Sequence, residues 1–180
     1  MKYVKGFFVA LIGIFALLLI VALFAPRNYR VERQITISKP VEEVFAHVKY
    51  LRNQDKFSTW LKMDPNVDVE YRGTDATVGF VSAWKSENKN IGSGEQEITG
   101  IVEGERIDYE LRFLEPFEST NEAYMITRPA GADQTIVTWG FYGGMDYPTN
   151  ITLLFMNMDE MLGDDLDQGL QNLKQILEDQ

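Results

Sequence analysis

The chain has 180 residues, room for one ordinary domain and a short additional segment, with 17 Lys and Arg against 27 Asp and Glu. A net charge of −10 repels phosphate backbones and sets nucleic-acid binding aside. With one histidine and no cysteine, no zinc site is expected, nor any other metal or cofactor, and redox chemistry says nothing about compartment.

The first element is apolar. Gly6 to Ala25 contains no charged residue, no Asn, no Gln and no Pro. About 20 residues at about 1.5 Å rise span a hydrocarbon core of about 30 Å. Phe7, Phe8, Leu17 and Ile20 lie on different sides of such a helix, and all-round apolarity fits lipid rather than a protein surface. Residues 1–26 therefore read as one transmembrane anchor. A cleaved signal peptide is the rival, with Lys2 and Lys5 as its basic region and Ala25 at the cut. The run exceeds the usual core of about 7–15 residues, Leu23 stands where a small residue is wanted, and Pro26 would follow the cut. Lys2 and Lys5 on one side oppose Arg27, Arg30 and Arg33 on the other, so the positive-inside rule does not fix the orientation. The short N-terminal tail favours a signal-anchor, which places residues 27–180 on the extracytoplasmic side. Two of the lysines precede the apolar run, so this domain carries about −12.

The domain opens with a strand. Tyr29, Val31, Arg33, Ile35 and Ile37 share one face, apolar apart from Arg33. Ser38 is the expected cap of a helix with Pro40 in its first turn, Glu42 and Glu43 near its positive end, and Val41, Val44, Phe45 and Val48 on its buried side. A second short helix or turn covers Leu51 to Phe57. Strands are then expected at 67–71, 78–85, 91–102, 106–114, 118–127 and 135–142, with turns such as Glu103-Gly104-Glu105 between them. Such short links argue for an antiparallel meander. The last element is a helix over 158–178, where Leu162, Leu166, Leu170, Leu173 and Leu177 recur at helical spacing. Gly163 and Gly169 in its interior each cost about 1 kcal/mol against alanine and point to a close approach by a neighbouring element. A long helix covering one face of a curved antiparallel sheet is an α+β arrangement.

The segment from Glu32 to Phe45 (ERQITISKPVEEVF), Trp60 after the second helix, the set Gly79, Trp84 and Gly94, and the final stretch from Met158 to Lys174 (MDEMLGDDLDQGLQNLK) follow one another in a recognisable order. In that order the chain resembles the START-like, or SRPBCC, superfamily, and within it the polyketide cyclase/dehydrase-like proteins, from Tyr29 to its C-terminus. The resemblance implies a helix-grip fold with a deep cavity between the long helix and the concave sheet, used for apolar ligands. It does not imply one reaction, so function rests on this chain's own site.

Of the residues that could carry chemistry, His47 projects away from the apolar side of its helix and reads as a boundary residue. The acids Asp159, Glu160, Asp164, Asp165 and Asp167 lack the spacing of a calcium loop and read as a solvated helix face. Aromatic and methionine side chains suit an adaptable apolar pocket, and Trp84, Phe113, Tyr124, Trp139 and Met156 are the candidate ligand-binding residues, although core packing explains most such residues. Glu95, Glu97, Arg112 and Tyr124 would orient a ligand if strand alternation aimed them inward, but a slip of one residue reverses every side chain. The leading expectation is a membrane-anchored module for a lipid or other hydrophobic small molecule. The alternatives are a cyclase/dehydratase-type enzyme using Glu95 or Glu97 with Tyr124 or Tyr109, and a protein-interaction module docking through the acidic helix or sheet rim.

Overall fold

The structure is a computed structural model describing residues 2–179; Met1 and Gln180, the outer ends of the expected anchor and domain, lie outside the described residues. Helix α1 runs over Lys2–Phe24 and exposes its apolar side chains on every side, apart from the last turn, where Ala22 is buried. Strand β1 (Asn28–Ile37) leads to α2 (Val41–Val48) and α3 (Leu51–Phe57). Then come β2 (Asp68–Arg72), β3 (Val81–Lys85), β4 (Ser93–Val102), β5 (Arg106–Glu115), β6 (Ser119–Pro129), β7 (Thr135–Gly144) and α4 (Met158–Glu178). Tight 3-10 turns sit at Trp60–Met63 and Thr149–Leu154.

The sheet order is β1-β7-β6-β5-β4-β3-β2, and every pairing is antiparallel. Strands β2 to β7 form the meander that the short links require, and β1 closes on β7. Helix α4 packs into the concave face, burying Leu166, Leu170, Leu173 and Leu177 to 1 % exposure or less. The arrangement is the α+β helix-grip expected from the sequence.

The two helix glycines mark where α4 touches the sheet. A Cβ at Gly163 would lie 1.9 Å from Arg33 Nη2, and one at Gly169 would lie 2.7 Å from the Trp139 ring. Arg33, the polar exception on the inner face of β1, accounts for the first contact. Its Nη1 donates to Asp159 Oδ1 and its Nε to Asp167 Oδ2, both at 2.8 Å. Two acids of the expected solvated face thus hold an arginine that strand alternation directs toward the helix. Asp165 also has a partner, accepting from Thr59 Oγ1 at 3.0 Å.

Other local expectations shift. Ser38 does not cap α2: the N-cap position is Pro40, with no side-chain cap bond. The Ser38 N–H instead donates to Glu178 Oε1 at 2.6 Å, tying the start of α2 to the end of α4. Strand β3 begins at Val81 rather than 78 because Thr77 to Phe80 closes a turn, with the Phe80 N–H on Thr77 O at 3.2 Å. Strand β4 begins at Ser93 rather than 91 because the N–H groups of Ile91 and Gly92 both close on Asn88 O at 2.9 Å.

Candidate functional site

Register decides which side chains face α4. Val31, Ile98, Tyr109, Ala123 and Phe141 are buried, and they form one row across the concave face through the pairs Ile98–Tyr109, Tyr109–Ala123, Ala123–Phe141 and Phe141–Val31. Because side chains alternate, residues two positions away on each strand face the same way. The next row is Tyr71, Ser82, Gln96, Leu111 and Asn121, and beyond it come Trp84, Gly94 and Phe113.

Between these rows and α4 lies a cavity of about 510 Å³. Trp84 and Phe113 meet edge to face at 5.7 Å on one wall, and Trp60 meets Trp139 at 5.9 Å on the other. Met158, Leu162 and Leu166 of α4 form the roof. Core packing alone does not fill this space, because small residues (Ser82, Ala123) stand on the sheet where larger side chains would be needed.

The polar lining is concentrated between α3 and the sheet. Gln96 Nε2 donates to Gln54 Oε1 at 3.0 Å, and Ser82 pairs with Gln96 across the strands. Asp55 lines the same wall and accepts a hydrogen bond from the Tyr71 hydroxyl. Burial pushes the Asp55 carboxyl above its ordinary value against the opposing pull of that bond, and burial together with Asp55 pushes the Tyr71 phenol up to about 12. Asp55 is the one carboxyl among the cavity's lining residues.

A carboxyl whose pKa is higher folded than unfolded contributes stability that is fully present below its unfolded pKa and is lost as pH rises through the folded one. Asp55→Asn keeps an oxygen for Tyr71 and removes the charge. The variant should melt above wild type at about pH 7, and the gain should vanish toward about pH 4 in thermal unfolding followed across that range. A gain that is the same at both ends would show that Asp55 does not titrate as described.

Of the candidate residues from the sequence, the structure brings Trp84, Phe113 and Trp139 together in the cavity wall. Tyr124 and Met156 are not among the lining residues. Tyr124 is one residue out of phase with Ala123 and projects from the opposite, convex face. There its hydroxyl donates to Glu32 and accepts from Arg30 Nε at 2.8 Å, while the Arg106 guanidinium lies 4.5 Å from its ring centre. Met156 stands just before α4, its N–H closing on Thr152 O at 3.0 Å.

Glu95, Glu97 and Arg112 also face outward, since Gln96 faces in. Arg112 binds Glu95 at 3.0 Å, Glu97 at 2.8 Å and Glu110 at 2.6 Å, and Arg72 binds Glu95 at 2.6 Å. The bond from Arg72 leads in holding the Glu95 carboxyl below its ordinary range, which is the reverse of a poised general acid. Tyr109 is buried in the core at 2 % exposure, with its phenol pushed up by that burial. The carboxylate–tyrosine pair sketched from the sequence is therefore not assembled in the cavity. His47 is half-buried, and burial lowers its pKa.

Sequence reasoning missed Gln54, Asp55, Ser82, Gln96 and Asn121. A signal existed for Gln54, which is three residues from both Leu51 and Phe57 and so shares their buried helix face.

The mouth can be located from exposure. Among the lining residues only Asn90, Phe117 and Met161 are exposed, Phe117 by 82 % and Met161 by 54 %. They belong to the β3–β4 loop, the β5–β6 loop and the start of α4. Asn28 at the start of β1 pairs with Gly144 at the end of β7, so β5 ends and β6 begins at the same edge. The cavity opens at the end of the sheet where the chain leaves α1.

Among solved structures the chain is similar in fold to a protein of Nitrosospira multiformis at 17% identity, covering 81% of this chain and 94% of that one with a TM-score of 0.58. It is similarly close to a protein of Chromobacterium violaceum, at 18% identity, 85% and 99% coverage and a TM-score of 0.56. Truncated norcoclaurine synthase from Thalictrum flavum aligns at 8% identity over 83% of this chain and 93% of that one, with a TM-score of 0.60. No curated protein sequence matches the chain. At these identities the solved structures speak to fold alone. Residues 29–178 match the family described as polyketide cyclase / dehydrase and lipid transport, which is most of the chain and all but the ends of the domain. With the helix-grip fold and an apolar cavity under its last helix, the chain belongs to the polyketide cyclase / dehydrase and lipid transport family.

Proposed function

We propose that this protein is a membrane-anchored module that holds a lipid or other hydrophobic small molecule in the cavity between α4 and the sheet. The carrying observation is the apolar cavity of about 510 Å³, a size within the usual range for small-molecule sites. Trp84, Phe113 and Trp139 are the aromatic contacts for that ligand. Lipid extraction and native mass spectrometry of the full chain should find an apolar molecule bound in stoichiometric amount. An empty protein that also takes up no added lipid would overturn the reading.

Residues 1–26 act as the anchor, and 27–180 as the ligand-binding domain. Helix α1 is long and apolar enough to cross a bilayer. Retention of the helix is supported by Asn150, fully buried, whose Nδ2 donates to Ala22 O at 2.8 Å and Ala25 O at 3.2 Å. A cut after Ala25 would remove the helix that these bonds hold. Only Ala25, Pro26 and Arg27 separate Phe24 from Asn28, a reach of at most about 14 Å. The cavity mouth is on that same edge, so it lies within reach of the lipid surface, with the exposed side chains of Phe117, Phe155 and Met161 beside it.

Of the three arginines that follow the apolar run, two are held in ion pairs within the domain. Arg33 is committed to Asp159 and Asp167, and Arg30 to Glu32 and Tyr124, which leaves Arg27 as the one of the three without an ion pair among the described residues. The full chain should stay in the membrane through an alkaline carbonate wash, and release into the wash would refute anchoring. Protease added outside intact cells should reach the domain if it is extracytoplasmic. Cleavage seen only after lysis would reverse that sidedness.

A further inference from the structure

The cavity's polar groups have a chemical bias. The wall between α3 and the sheet presents Asp55, Gln54, Gln96 and Ser82, and Asp55 is the one charged residue among those lining the cavity. None of the described lining residues is Lys, Arg or His. The nearest cations are committed outside: the Arg52 guanidinium lies over the Tyr71 ring at 4.2 Å and faces Asp75, and Lys56 is exposed beside Asn53. Tyr71 donates to Asp55 from the far side of this wall. An anionic group placed here would lose its water, gain no counter-ion and stand against a carboxylate, which is among the most costly arrangements in a protein interior. A hydroxyl or an amine would instead donate to Asp55, with the amide oxygens as further acceptors.

Building on the ligand-binding reading, we propose that the cavity selects amphiphiles whose polar end is a hydrogen-bond donor without negative charge, a hydroxyl or an amine. That end is seated at Asp55 with Gln54, Gln96 and Ser82, and carboxylate-headed lipids are rejected. The apolar body of the ligand lies along Trp84 and Phe113 toward the mouth.

The protein carries its own reporter, since its three tryptophans, Trp60, Trp84 and Trp139, all line the cavity. The test titrates the full chain in lipid nanodiscs at a pH where fatty acids are ionised. Tetradecyl alcohol, tetradecylamine and tetradecanoate are added separately and tryptophan emission is followed, for wild type and Asp55→Asn in the same discs. The comparison between variants cancels each probe's partition into lipid. Wild type should bind the alcohol and the amine at least about tenfold more tightly than the acid, and Asp55→Asn should narrow that gap to about threefold. Tetradecanoate binding wild type as tightly as the alcohol would overturn the proposal, as would an unchanged gap in Asp55→Asn. If that variant does not fold, the wild-type ratio decides, with each probe's partition into protein-free discs measured and subtracted. No response to any probe would overturn the ligand-cavity reading itself, and this proposal with it.

Discussion

Ala123→Trp should abolish ligand retention while the domain stays folded. Ala123 stands on β6 in the concave row, its Cβ directed at the cavity between Phe141 and Tyr109, and the empty space ahead of it is the cavity itself. An indole placed there occupies much of the volume that an apolar ligand would use. Overpacking in a filled core costs about 1–3 kcal/mol, and a residue entering existing space costs toward the lower end. Native mass spectrometry of the full chain should show the bound species lost, with circular dichroism unchanged in shape. Retention at wild-type occupancy would place the ligand elsewhere on the molecule.

Leu170→Ala should be strongly destabilising, and clearly more so than Leu162→Ala on the same helix. Leu170 is 1 % exposed and packs in the same cluster as Trp139, Leu166 and Leu173. Removing a fully buried leucine costs about 2–5 kcal/mol, because the lost burial is compounded by the hole left behind. That is a large share of the roughly 5–15 kcal/mol holding an ordinary domain together. Leu162→Ala provides the contrast. Leu162 lines the cavity and is only half-buried, so its truncation should cost less stability and act on ligand retention. Urea unfolding of both variants checks the order. Equal losses would mean that the space beside Leu162 is packed as tightly as the core.

Much of this architecture was legible in the chain because it rests on local periodicity. The leucine spacing of α4, the alternation in β1 and the turn chemistry between β4 and β7 each follow from a few neighbouring residues, and the observed elements fall where those patterns put them. The glycines of α4 carried longer-range information. A costly residue in a helix interior implied a close neighbour, and Arg33 and Trp139 are those neighbours.

The site was less legible, for a specific reason. Whether Glu95 or Gln96 faces the cavity depends on one residue of register. Ile98, fully buried, holds the answer: a residue that must be inside puts Gln96 inside and Glu95 and Glu97 outside. Tyr124 invited the opposite error. Its burial on the convex face comes from Arg30 and Arg106 lying across it, not from the core, and no local pattern distinguishes the two kinds of burial.

The apolar helix at the N-terminus shows the same division. Its length and composition were fully readable, since all-round apolarity over a membrane's thickness is a property of consecutive residues. The sequence by itself also determined the antiparallel meander, the covering helix and the aromatic supply, each a consequence of short-range pattern. Only the tertiary structure decided that Asp55, from a short helix, meets Gln96 and Ser82 from the sheet in one wall, and that the cavity opens beside the end of α1. Both depend on which distant segments are brought together, and that is set by strand pairing across the whole sheet rather than by any run of neighbours.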